Sequence, residues 1–240
     1  MVLSPKISRR LFLTLASGAI AAPHRLLEEN EVPTLLDHIL LGSGDLQRGI
    51  EFVEQHTGVR AEFGGVHPGR GTQNALLSLG ERRYLEIIAP DPAQPGVQNP
   101  IASGLHSLTE PCLIGWAAHP GNLSAFAEKL RAAGIVFDGP TPGSRKRPDG
   151  HLLQWQTLAI ADTASGLLPF FIEWGAETMH PSVDAPNGCT LLSFVAETPE
   201  PAELAARLKL LSLDLPVKKG DRTRLRAVIR GPKGTLEVTS

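Results

Sequence analysis

Leu35-Leu36-Asp37-His38-Ile39-Leu40-Leu41, followed by Gly44-Asp45-Leu46 and the apolar positions Ile50, Phe52 and Val53, reads as an apolar strand that passes through a polar turn into an amphipathic helix. The same phrase returns twice. Cys112-Leu113-Ile114-Gly115-Trp116-Ala117-Ala118 leads through Pro120-Gly121-Asn122-Leu123 to Phe126, Leu130 and Ala133. Cys189-Thr190-Leu191-Leu192-Ser193-Phe194-Val195 leads through Thr198-Pro199-Glu200-Pro201 to Leu204, Leu208 and Leu211. Asp45, Asn122 and Thr198 are of the types that cap helix N-termini, because their side-chain oxygens accept from first-turn N–H groups that have no partner in the helix.

After each helix the helical period gives way to short alternating runs broken by Gly and Pro, as in strands and turns. The first copy offers Val59 to Gly64, Thr72 to Leu79 and Arg83 to Ala89. The second offers Ile135 to Asp138, Leu152 to Ile160 and Pro169 to Trp174, with a polar break from Gly143 to Gly150. The third offers Leu215 to Lys218, Arg224 to Arg230 and Thr235 to Thr239. The chain therefore divides into βαβββ units at 34–92, 111–178 and 189–240, joined by connectors at 93–110 and 179–188. A sheet covered by its helix on one face leaves the other face bare, and units set side by side turn those bare faces into a shared cup for a small ligand. The fold class expected is α+β, with cupped mixed sheets and helices on their outer faces.

The 240 residues are 42% hydrophobic and 20% charged, an ordinary globular balance that excludes disordered and fibrous classes. A formal net charge of −2 with scattered Lys and Arg provides no basic stripe, so nucleic acid is not an expected partner and a small molecule is. Cys112 and Cys189 have no CxxC context, which excludes a zinc knuckle and leaves a disulfide between them open.

Residues 1–22 read as an export signal: a basic head, the apolar run Leu11 to Ala22, and Ala19-Ile20-Ala21 as a small-residue cleavage pattern, with cleavage expected after Ala21. The apolar run is too short for a stable membrane span. Ser8-Arg9-Arg10-Leu11-Phe12-Leu13 is similar to the twin-arginine signal, although Thr14 departs from the lysine often found there, and an extracytoplasmic or periplasmic destination is expected.

The Asp-His first strand, the strand Tyr84-Leu85-Glu86-Ile87-Ile88-Ala89-Pro90 and the run Gly64-Gly65-Val66-His67-Pro68-Gly69-Arg70-Gly71-Thr72-Gln73-Asn74-Ala75-Leu76 together resemble the glyoxalase-like domain family of the vicinal oxygen chelate superfamily. The resemblance is strongest over residues 35–92 and looser through Pro169 to Trp174 and His180-Pro181-Ser182. It implies a glyoxalase/bleomycin-resistance-like fold. The superfamily holds lyases, dioxygenases, isomerases and metal-free drug-binding proteins, so the fold alone does not name the reaction.

Strand alternation places Leu36, His38 and Leu40 on one face and Asp37, Ile39 and Leu41 on the other, while Tyr84, Glu86 and Ile88 share a face of the last strand. The resemblance implies that these two strands are neighbours, which sets His38 and Glu86 together on the cupped face as ligands for a divalent metal ion of unknown identity. His67, in a Gly- and Pro-rich loop, is the third expected ligand and, with Glu86, an acid/base candidate. Thr72 and Asn74 follow with period-two spacing as substrate-binding candidates.

In related two-unit enzymes the second unit supplies its own His and Glu. Here the alignment of the polar turns puts Gly115 where His38 stands, Glu173 stands near the second glutamate position, and His180 is the substitute histidine. Arg145, in the polar break, suits a substrate carboxylate or phosphate. Trp155 and Trp174 are expected either as an aromatic wall of the cup or as core.

The leading expectation is a divalent-metal-dependent lyase or oxygenase acting on a small molecule with adjacent oxygens. The alternative is a metal-free small-molecule-binding protein of the drug-sequestering type, and a homodimer is left open.

Overall fold

The computed structural model describes residues 31–97, 99–147, 149–160 and 166–240. The export segment therefore lies outside the described residues. Among the described residues, twelve strands and three of four helices follow one another in three βαβββ runs. The first run is β1 (Leu36–Gly42), α1 (Leu46–Thr57), β2 (Glu62–His67), β3 (Thr72–Ser78) and β4 (Tyr84–Pro90). A short helix, α2 (Pro100–His106), sits in the connector, where two buried apolar residues are too few to announce a helix by period. The second run is β5 (Cys112–Ala118), α3 (Leu123–Ala132), β6 (Phe137–Lys146), β7 (Leu152–Ile160) and β8 (Phe170–Trp174). The third is β9 (Thr190–Thr198), α4 (Pro201–Leu210), β10 (Val217–Lys219), β11 (Arg224–Arg230) and β12 (Thr235–Thr239).

The first two runs share one eight-stranded sheet in the order β2-β3-β4-β1-β5-β8-β7-β6. In each unit the first strand lies parallel to the last, β1 to β4 and β5 to β8, and antiparallel β1–β5 pairing joins the halves. The third run forms its own sheet in the order β10-β9-β11-β12, so its first strand is interior. The element sequence is thus repeated three times, but the strand order only twice.

Local signals account for the helices. Asp45 accepts from Arg48 N and Asn122 from Ala125 N, so each caps its helix as the sequence indicates. Ile50 and Val53 of α1, and Phe126, Ala127 and Leu130 of α3, turn inward at helical spacing. The core lies on the convex side of the large sheet, where Ile39, Leu41, Leu85 and Ile87 join these helices and the third sheet in one cluster. Trp116 of β5 meets Phe194 of β9 edge-on, with ring centroids 5.6 Å apart. The concave side is left to polar and aromatic groups.

Strand β6 corrects the expected break at 143–150. It runs to Lys146 and carries Arg145 as a strand residue, because Pro140 and Pro142 are tolerated on a sheet edge where no partner needs their missing N–H. The two cysteines are free thiols, not a disulfide. Among the described residues no helix is long and apolar enough to cross a membrane.

Candidate functional site

The concave face of the first unit is organised around Asp37 and Glu86. Pairing of β1 with β5 slips by one residue between Leu36 and His38, which makes Asp37 the extra residue of a β-bulge. Leu36 and Ile39 both join the core, while Asp37 and His38 both turn to the cup. This corrects the strict alternation, which put Asp37 on the core face and Leu36 on the cup face.

Asp37 is fully buried and accepts three N–H groups. These come from His38 Nδ1 at 2.7 Å, Trp174 Nε1 at 3.1 Å and His180 Nε2 at 3.2 Å. Burial alone would raise its pKa, but the hydrogen bonds from His180 and His38 outweigh it and hold the carboxyl well below the usual range. The tautomers follow from the partners. Ser182 N–H donates to His180 Nδ1 at 3.2 Å, so the His180 proton is on Nε2, facing Asp37. An ionised Asp37 requires a proton on His38 Nδ1, which leaves a lone pair on Nε2 whenever the ring is neutral.

That Nε2 atom is buried and has no hydrogen-bond partner, although Glu86 Oε2 stands 3.4 Å away. Two acceptors facing each other with no donor between them call for a cation, either a proton or a metal ion. Tyr84 stacks on the imidazole with ring centroids 4.5 Å apart, and Phe170 meets it edge-on at 5.5 Å. Burial, followed by the charges of Glu86 and Asp37, pushes the Tyr84 hydroxyl pKa up, so its neutral form lies against the site.

Glu86 accepts from Asn74 Nδ2 at 2.7 Å through Oε1. Burial raises its pKa, but the neighbouring His38 and His67 lead a larger opposing effect, and the net shift is downward. Asn74 is oriented from its other end, where Arg145 Nη1 donates to Oδ1 at 2.7 Å. His67 Nε2 lies 3.7 Å from Glu86 Oε1 and 3.4 Å from Asn74 Nδ2, and Nδ1 pairs with Thr72 Oγ1 at 2.8 Å. Burial pushes the His67 pKa down. Among the polar groups around Glu86, His67 and Glu86 itself keep some exposure, with side chains 15% and 10% exposed.

The expected three-ligand set is reduced to two. Among the described residues no three His, Cys, Asp or Glu side chains form a group that would hold a metal. His67 is drawn to the outer oxygen of Glu86 and its Nε2 lone pair faces the Asn74 amide, whereas His38 Nε2 and Glu86 Oε2 face each other unoccupied by any donor. These two fit a divalent ion, with Asp37 in the supporting position that orients a ligating imidazole.

Glu173 is the second correction. Along β8, Phe170 and Trp174 turn to the cup, while Phe171 packs on Phe126 of α3, so alternation sends Glu173 to the helix side. There its Oε2 accepts from Leu123 N at 2.7 Å at the start of α3. His180 does reach the cup. Trp174 belongs to the wall and packs on Trp155, with ring centroids 5.6 Å apart. Sequence reasoning missed the functional placement of Asp37, and of Ser182 and Phe170 behind it; the Asp-His pair was visible, but nothing in the period marked the bulge. Two surface grooves, of about 410 and 290 Å³, lie against α4, away from these residues.

A family model described as a glyoxalase-like domain matches residues 36–211. The chain belongs to this family. The family sits within the vicinal oxygen chelate superfamily, and the match spans both halves of the large sheet and reaches the end of α4. A hypothetical protein from Staphylococcus aureus is similar in structure, with a TM-score of 0.57, 16% identity, and coverage of 85% of this chain and 84% of that one. Methylmalonyl-CoA epimerase from Mycobacterium tuberculosis aligns with a TM-score of 0.45 and 23% identity over 62% of this glyoxalase-like chain and 93% of the epimerase. A hypothetical protein from Bacillus halodurans aligns with a TM-score of 0.45 and 19% identity over 60% of this chain and 96% of its own. No curated protein matches the chain.

Proposed function

We propose that this glyoxalase-like protein is a divalent-metal-dependent enzyme of lyase or oxygenase type, acting on a small molecule with adjacent oxygens. One observation carries the reading: the buried, unpartnered His38 Nε2 facing Glu86 Oε2 at 3.4 Å. His38 and Glu86 would hold the ion, which when bound supplies charge stabilisation to substrate oxygens. Asp37 fixes the His38 tautomer through Nδ1, and Asn74 holds Glu86 Oε1 so that Oε2 stays turned to His38. Tyr84 and Phe170 wall the imidazole against water. His67, kept neutral by burial, is the group placed to take or return a proton through Nε2 beside Glu86 Oε1.

Elemental analysis of protein purified without chelators tests this. Near-stoichiometric metal is expected in the parent and a loss in His38→Ala and Glu86→Ala; equal content in all three sinks the proposal. The absence of a three-donor group among the described residues favours a second reading, a metal-free binder whose cup is walled by Trp155, Trp174 and Phe170. A tightly held organic molecule in native mass spectrometry, without metal, would select it.

The amino-terminal pattern supports export of the protein, and a route that carries folded chains suits one loaded with a cofactor beforehand. A mature N-terminus at Ala22 in extracytoplasmic fractions is the expected result.

A further inference from the structure

Arg145 is the residue the proposed chemistry does not use. Its side chain crosses from β6, one edge of the large sheet, over β2, the other edge, to Asn74 on β3. It is 4% exposed. Among the described residues its one hydrogen bond leaves through Nη1, no carboxylate pairs with it, and its buried Nε has no partner. A cation taken out of water without a counter-charge is costly, and burial accordingly pushes its pKa down. Glu86 would be the natural partner, but the Asn74 amide stands between them and bonds both.

The backbone makes room for this cation. A Cβ at Gly64 would fall 2.8 Å from Arg145 Nη1 and 2.6 Å from Asn74 Oδ1, and one at Gly65 would fall 3.2 Å from Nη1 and 3.3 Å from Cδ. The two glycines therefore admit the Nη1 and Cδ side of the guanidinium, and the Nε edge is turned away from β2. That edge is a planar pair of donors, the geometry that a carboxylate accepts in bidentate fashion.

We propose that the cup recognises a carboxylate, seated on the Nε edge of Arg145 one amide's width from the His38–Glu86 pair. Resting on the reading above for the adjacent oxygens, this names the substrate class as short 2-oxo or 2-hydroxy carboxylic acids. The acid supplies the direct ion pair that Glu86, held off by the Asn74 amide, does not.

The test is calorimetric titration of the full chain in chelator with lactate, pyruvate, 2-oxobutyrate and oxalate, set against methyl lactate, methyl pyruvate and inorganic phosphate. At least one acid is expected to bind, its ester to bind about tenfold more weakly or worse, and Arg145→Gln to lose the discrimination. Arg145→Lys keeps the charge without the fork and is expected to fall about tenfold in affinity, which keeps the test decisive if the Gln variant does not fold. Binding of no acid, equal binding of acid and ester, binding of phosphate alone, or unchanged affinity in Arg145→Lys would each overturn the assignment. Metal content measured separately on chelator-free samples reports on His38 and Glu86, so the two proposals can fail independently.

Discussion

The first and second units share strand order and helix placement, yet only the first writes a polar constellation on its cupped face. Where the first unit has His38 on β1, the second has Gly115 on β5. The space around Gly115 is open, since a Cβ built there meets nothing within 4 Å, but its φ of 157° lies at the limit of what residues with side chains adopt. Where the first unit turns Glu86 into the cup, the second turns Glu173 out to the α3 N-terminus. The second unit contributes instead from its edge and its exit, with Arg145 on β6 and His180 beyond β8. The repeat supplies the scaffold twice, and backbone details decide which copy carries the buried polar cluster.

The strongest way to break this asymmetry is Asp37→Ala. It strands two buried N–H groups and one part-buried one, and urea unfolding is expected to show a loss of about 3 kcal/mol or more, together with loss of the proposed metal. Gly115→His tests whether the second unit can be given the missing imidazole. The available space argues for it and the backbone against it, and the expected result is a folded protein destabilised by about 2 kcal/mol with no gain in metal content.

Glu173→Gln should cost about 1 kcal/mol through the weakened contact at the helix start and leave metal content unchanged, whereas Glu86→Gln should lose metal. The smallest effect concerns His67. Its folded pKa lies below the ordinary 6.5, so as pH falls the unfolded chain takes up the proton first, and stability declines below about pH 6.5. In chelator, the fall in Tm between pH 7.5 and 5.5 should be steeper in the parent than in His67→Gln; identical slopes would mean His67 is not held neutral.

Much of the architecture was legible because it is written in periodic patterns. The three βαβββ runs, the caps Asp45 and Asn122, and strands β11 and β12 follow from alternation, helical spacing and turn residues that act within a few positions of themselves. Strand β6 was obscured because its prolines and polar residues mimic a loop, and the edge position that permits them is a property of the whole sheet. The third unit's strand order was equally hidden, since the same element sequence folds as 2-3-4-1 in two copies and 2-1-3-4 in the last.

The amino-acid sequence by itself determined the element order and the candidates His38 and Glu86, because side-chain period and family motif are local properties. Tertiary structure alone decided that Asp37 joins them, that Glu173 leaves, and that Arg145 is buried without a counter-ion. Asp37 depends on a one-residue slip between strands, Glu173 on the phase of alternation along β8, and Arg145 on the meeting of two sheet edges. Such a slip moves a side chain from one face to the other without changing any residue's identity or spacing.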